Sequence, residues 1–252
     1  MGNAKDTVLA AAKELFADKD AAAVDRRVAP DYKQHSALAP DGIEGIRGLV
    51  ASLPADFRYE GARVIADGDL VALHGTYYGL GPDPLVGFDL FRVKDGKLAE
   101  HWDGLVPVVK DTASGRSQTD GPTEATDLDK TEANRALVAE FAEKVLKGAD
   151  YSVLTDYIST EQYDQHNPEA ADGLAGFGAA AEAWGEQGKN LVYRHIHRVI
   201  AEGDFVLVHA EGEFGRPVAY WDLFRVADGK IVEHWDVVPE VPAEMPHGNG
   251  LF

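Results

Sequence analysis

Asp89 and Asp103 close the two ends of a fifteen-residue stretch, DLFRVKDGKLAEHWD, and Asp222 and Asp236 close the ends of its near copy, DLFRVADGKIVEHWD. A His stands two residues before each final Asp, His101 and His234. A carboxylate within an apolar strand is costly to bury unless it is paired or protonated. Two of them on one face, beside a His, can form an acid/base site. Burial beside Asp89 would raise the pKa of Asp103, suiting it to take a proton from a carbon next to a carbonyl and deliver it to an oxygen. The competing structural role is a bond from Asp103 to a His or a backbone amide.

A shorter pair lies upstream, Tyr32-Lys-Gln-His35 and Tyr163-Asp-Gln-His166. His35 and His166 could orient or polarise a carbonyl, and Tyr32 and Tyr163 could lend hydroxyls. The alternatives are a helix-end His bonding a backbone carbonyl and a Tyr packed in the core. His74 and His209 end alternating strands and are placed near the mouth of a pocket. Phe91 and Phe224 share the face of the acids. His35, Asp89, His101 and Asp103 also offer nitrogen and oxygen ligands to a divalent ion, but their spacing matches no metal motif. The site is therefore read without metal or cofactor.

The segment RVIADGDLVALH at Arg63 returns as RVIAEGDFVLVH at Arg198. The repeats keep one order, so the chain reads as a tandem duplication of a domain large enough to hold its own core. The boundaries are residues 1–110, a polar linker at 111–127 and a second domain at 128–252. The C-terminal tail either tucks over a pocket or interface or hangs loose. Each half opens with helical spacing: Val8, Leu9, Ala12, Leu15 and Phe16 in one, Leu137, Val138, Phe141, Val145 and Leu146 in the other. Helices at 21–28 and 43–53 follow in the first half, and at 151–158 and 174–184 in the second. Four alternating strands come next, predicting an α+β fold in which helices cover one face of a curved antiparallel sheet around an apolar pocket.

The hairpin at Asp95-Gly96 decides which side chains share a face. A two-residue loop pairs Val93 with Leu98 and sends Asp89 and Asp103 to opposite faces. A three-residue loop with a bulged Gly96 pairs Val93 with Lys97 and sets Asp89 opposite His101, with Asp103 diagonal on the same face. We take the bulged form as the expectation. It groups Asp89, Phe91, His101 and Asp103 against Arg92, Glu100 and Trp102, and the second half likewise.

The net charge of −19 disfavours nucleic acid and anionic membrane as partners. The absence of Cys removes disulfides, thiolate metal sites and a Cys nucleophile. Nucleotide and serine-hydrolase motifs are lacking. With no leader and no long apolar run, a cytoplasmic protein is the expectation.

Tyr-x-Gln-His, Val-Ile-Ala-x-Gly-Asp, Asp-x-Phe-Arg-Val-x-Asp-Gly-Lys and Glu-His-Trp-Asp together resemble the SnoaL-like branch of the NTF2-like superfamily, whose members are described as polyketide cyclases or aldol-condensation enzymes. The resemblance implies two tandem cone-shaped domains. It implies that Asp103 and Asp236 act as general acid/base, with Asp89 and Asp222 standing where the family's cyclases have a His. It also implies sheet-to-sheet pairing of the two halves within a chain that is a monomer or a homodimer. The expected function is a cofactor-independent enzyme acting on a small apolar carbonyl compound as an aldol-type cyclase, isomerase, dehydratase or hydrolase. The alternative is a non-catalytic protein that binds a small hydrophobic molecule.

Overall fold

A computed structural model describes residues 3–252, which divide into two compact units. The first holds the chain up to Val108 together with Pro242–Phe252, and the second holds Val109–Val241. The tail, read from sequence as part of the second domain, thus belongs to the first unit. The segment read as a linker belongs to the second.

In the first unit, helix α1 (Ala4–Ala12) starts on Asn3, whose side chain accepts from the backbone N–H of Asp6 at 2.7 Å. Wider turns prolong it to Ala17. A short helix, α2 (Val24–Arg27), leads into strand β1 (Val28–Gln34). Helix α3 (Gly42–Ser52) follows, then β2 (Arg58–Asp67), β3 (Leu70–Tyr78), β4 (Leu85–Lys94) and β5 (Lys97–Pro107). The sheet order is β1-β5-β4-β3-β2, with β1 parallel to β5. The sheet is therefore mixed and five-stranded, where the sequence suggested four antiparallel strands.

The second unit repeats the plan: α4 (Thr131–Phe141), α5 (Leu154–Tyr157), β6 (Asp164–Gln165), α6 (Gly173–Glu186), then β7 (Leu191–Glu202), β8 (Phe205–Phe214), β9 (Pro217–Ala227) and β10 (Lys230–Val237). Its order, β6-β10-β9-β8-β7, is the same. The α+β, tandem organisation agrees with the expectation. In each unit the helices cover one sheet face. Val8, Leu15, Ile46 and Val50 pack on Val71, Leu73 and Phe91 in the first core. Val138, Phe141 and Val145 pack with Val206, Val208 and Phe224 in the second. Among the described residues no helix is long and apolar enough to cross a membrane.

The repeated hairpin departs from the expected register. Lys94 pairs with Lys97 and Val93 with Leu98, a two-residue turn in which Asp95 (φ 51°) and Gly96 (φ 73°) are both left-handed. Such a turn matches strand twist, and Asp-Gly is well suited to it. The extra residue lies inside the strand instead, because Arg92 pairs with Glu100 and leaves Ala99 as the bulge. Asp89 therefore stands opposite Asp103, and Phe91 opposite His101, in place of the expected Asp89–His101 pair. In the second unit Val232 is the bulge, and Asp222 stands opposite Asp236. The predicted grouping of faces survives, since a bulge at Ala99 restores the parity that the two-residue turn removes.

Candidate functional site

On the helix-covered face of the second unit, β9 supplies Asp222 and Phe224, and β10 supplies His234 and Asp236. Directly opposed residues in an antiparallel pair have Cα atoms about 4.5–5.5 Å apart, closer than the diagonal spacing expected. The two carboxylates have different partners. Asp222 Oδ1 lies 3.1 Å from His234 Nε2, and its Oδ2 accepts from Tyr193 Oη at 3.0 Å. Asp236 Oδ2 accepts from Asn167 Nδ2 at 2.8 Å. The amide orientation of Asn167 is fixed because its Oδ1 accepts the N–H of Glu169.

These contacts set the charges. Gln165 Oε1 accepts the N–H of Asn167 at 3.4 Å and faces His234 Nδ1 at 3.1 Å, so Nδ1 carries a proton. His234 Nε2 faces Asp222, which favours a second proton. Burial opposes the charged ring, but the bond to Asp222 and the charges of Asp236 and Asp222 outweigh it and hold the His234 pKa above its ordinary value. Burial, together with Asp222, pushes the Asp236 carboxyl up to about 6 against the pull of His234 and Asn167. Asp222 and His234 are thus bonded to each other, and Asp236 is the carboxylate poised to change state near neutral pH.

The first unit builds the same face with different supports. His101 Nε2 lies 2.8 Å from Asp89 Oδ1, and its Nδ1 lies 2.8 Å from Gln34 Oε1. Tyr77, from β3, donates to the other oxygen of Asp89. Ser36 Oγ donates to Asp103 Oδ2 at 2.7 Å, where the second unit uses Asn167. Burial raises the Asp103 pKa, Asp89 adds to the rise, and His101 and Ser36 oppose it.

The pocket of the second unit opens over these acids. Phe141, Phe177, Trp184, Phe214 and Tyr220 wall it with aromatic surface, and Tyr163, Gln165, Asn167, Asp222, Phe224, His234 and Asp236 line it. Phe224 stacks on His234 at 4.9 Å, and Phe91 on His101 at 4.5 Å. Tyr163 is buried beside His234. Tyr32 is buried close enough to Asp103 and Asp89 for their charge, after burial itself, to raise its pKa.

Four of the expected site residues lie elsewhere. His35 stacks on Trp102, bonds Glu100 Oε1 at 3.0 Å and meets the carbonyl of Gly250 at 3.0 Å. His166 stacks on Trp235, bonds Glu233 at 2.9 Å and meets the carbonyl of Ser117 at 2.7 Å. Both belong to the sheet face away from the acids. The physical reason is that Gln34 and Gln165 pair beside β5 and β10 and turn inward, so the next residue points outward. His74 and His209 sit within β3 and β8, not at their ends. They are on that same outer face, stacked on Phe88 and Trp221 and facing Arg63 and Arg198.

The linker is also more structured than its composition suggests. Ser114 Oγ donates to the carbonyl of Gln165, and Arg116 bonds Asp164 and Asp172. In the first unit the tail takes the matching place, with Asn249 Nδ2 donating to the carbonyl of Gln34 and His247 meeting that of Ser36. Gln165, Asn167 and Tyr193 are functional candidates that the sequence reading missed. Only Gln165 lay within a repeated motif.

Possible metal ligands do converge. One ligand atom each from Asp222, His234 and Asp236 lies within 4.8 Å of the others, as for Asp89, His101 and Asp103. Both ring nitrogens of His234 already face Gln165 and Asp222, so an ion would have to displace one of those contacts.

A family model described as a SnoaL-like domain matches residues 9–101 and again residues 136–234. No curated protein matches the chain. Among solved structures, the chain is similar to TsrD from Streptomyces laurentii, with 23% identity over 40% of this chain and 84% of that one and a TM-score of 0.32. It is similar to an LEH-like epoxide hydrolase of M. tuberculosis, with 22% identity, 41% and 82% coverage and a TM-score of 0.35. It is also similar to a SnoaL-like polyketide cyclase from Agrobacterium tumefaciens, with 16% identity, 42% and 93% coverage and a TM-score of 0.36.

Proposed function

The chain belongs to the SnoaL-like domain family in both of its halves, and from that premise we propose that it is an enzyme acting by proton transfer on a small, largely apolar carbonyl compound, with no cofactor in the chemistry. The observation that carries the proposal is Asp236, a half-buried carboxylate with a pKa of about 6 lining an aromatic-walled pocket. A base works best when its pKa lies near the working pH.

In this reading the ionised Asp236 takes a proton from the carbon next to the carbonyl. Asn167 holds Oδ2 and leaves Oδ1 for the substrate. The bonded Asp222–His234 pair steadies the negative charge that passes through the site. The proton then returns to carbon or oxygen, giving aldol-type closure, isomerisation or dehydration according to what the substrate presents. Asp103, with Ser36, would do the same in the first unit.

The test is Asp103→Asn with Asp236→Asn in one chain, assayed on a panel of carbonyl substrates against the parent. Loss of turnover by about 10²-fold or more is expected, the usual scale for a general base. Undiminished turnover would sink the assignment. Tight binding of a ligand recovered unchanged from the parent chain, with no turnover across the panel, would instead make the pocket a binding site only.

A further inference from the structure

Gln165 lines the second unit's pocket and is wholly buried. Its Oε1 is engaged by the N–H of Asn167 and by His234, which fixes the amide with Nε2 on the other side. That Nε2 has no hydrogen-bond partner among the described residues. A buried amide nitrogen can only donate, and leaving it unmatched is unfavourable unless an acceptor arrives. The twin in the first unit, Gln34, repeats the arrangement, with Oε1 taken by Ser36 N–H and His101, Nε2 without a hydrogen-bond partner, and the Tyr32 phenol beside the amide.

We propose that Gln165 Nε2 is the donor that binds the carbonyl oxygen of the ligand, so that the second pocket selects ketones and aldehydes over hydrocarbons of the same shape. The inference rests on the pocket being the substrate site. Asn167 ties the donor to the base, since its N–H meets Gln165 and its side chain meets Asp236. One small molecule can therefore place its oxygen on Gln165 and its neighbouring carbon on Asp236. When Asp236 takes the proton, the C–H electron pair becomes the C=C bond and the C=O pair moves onto oxygen. The Gln165 N–H then holds an enolate, and return of the proton from Asp236 restores the carboxylate. Gln165 is thus a catalytic residue that Asp/His chemistry alone does not supply.

The experiment titrates the full chain with 1-tetralone and with tetralin, its hydrocarbon counterpart, by tryptophan fluorescence. Trp184 lies in the pocket wall, and the difference from a Trp184→Phe chain isolates the second site. The parent is expected to prefer the ketone by about tenfold, the scale of one buried hydrogen bond. Gln165→Leu should erase that preference and leave tetralin affinity unchanged. Gln165→Glu, which keeps an acceptor for His234, should erase it as well and guards against misfolding of the first variant. A preference retained in either folded variant overturns the inference. Failure of the parent to bind either probe overturns the pocket reading beneath it. Asp236→Asn should keep the ketone preference while losing turnover, so the donor and the base fail separately.

Discussion

Asp222 and Asp236 face each other across β9 and β10, yet only Asp222 is bound on both oxygens, by His234 and by Tyr193. Asp236 is held by Asn167 on one oxygen. A carboxylate with both oxygens engaged is tied in place, and one with a free oxygen is available for chemistry. The division of labour therefore follows from hydrogen bonds and not from position in the strand.

Replacing Asn167 with Leu should raise the Asp236 pKa further. The amide donor stabilises only the ionised form, and burial already opposes that form. The expected change is about one unit upward from a starting value of about 6. A carbon-detected NMR titration of the Asp236 carboxyl reads it without any substrate, and an unchanged or lower midpoint would refute the role given to Asn167.

The site should leave a signature in stability against pH. Asp236 has a folded pKa above its unfolded value, so its ionisation costs the fold stability as pH rises from about 4 to about 6. A two-unit difference corresponds to about 2–3 kcal/mol. Asp236→Asn should remove that decline, seen as a smaller drop in the urea midpoint between pH 4.5 and pH 6.5. His234 also has a raised pKa. Its contribution is complete below its unfolded value of about 6.5 and is lost as pH rises through the folded value. Asp222→Asn should flatten this second decline.

His166→Ala should act on stability and not on chemistry. It removes a partner of Glu233, which is 2% exposed and otherwise bonded to Arg225 at 2.7 Å. A cost of about 2–3 kcal/mol is expected from the impaired buried network. The ketone preference of the pocket should not change. A change there, with stability intact, would return His166 to the site.

Gly212→Ala should destabilise the second unit by about 2–4 kcal/mol. A Cβ at this position would lie 1.8 Å from the carbonyl oxygen of Val192 and 2.9 Å from the Tyr220 ring. Tyr220 stacks on Tyr193 at 3.9 Å, and Tyr193 holds Asp222. The pair of strands would have to part, and a urea melt would register the loss.

Much of this was legible in the sequence. Alternation and the Asp-Gly turns fixed β2 to β5 within a residue or so, and the set Asp89, Phe91, His101 and Asp103 emerged on one face. The bulge could not be located, because Ala99 and Val232 carry no bulge signal and the turn was equally able to absorb the extra residue. His35 was misplaced because β1 is short, contains Pro30 and was hidden behind a helical reading of 21–28. With a strand there, alternation turns Tyr32 and Gln34 inward and His35 outward. Tyr193 had no signal at all, since its counterpart by strand pairing, Tyr59, is not the residue that bonds Asp89. Tyr77 is.

The chain's most evident seam is not where it can be divided. A gene cut within residues 109–127 would yield a first half stripped of Pro242–Phe252, with the carbonyls of Gln34 and Ser36 and the ring of His35 uncovered. The other fragment would lose whatever part of Ser114–Asp120 lay before the cut and would carry an eleven-residue tail with no surface of its own to bind. Each repeat donates its trailing segment to the other's unit. The first unit is therefore completed only by the far end of the chain, whereas residues 109–241 hold every segment of the second.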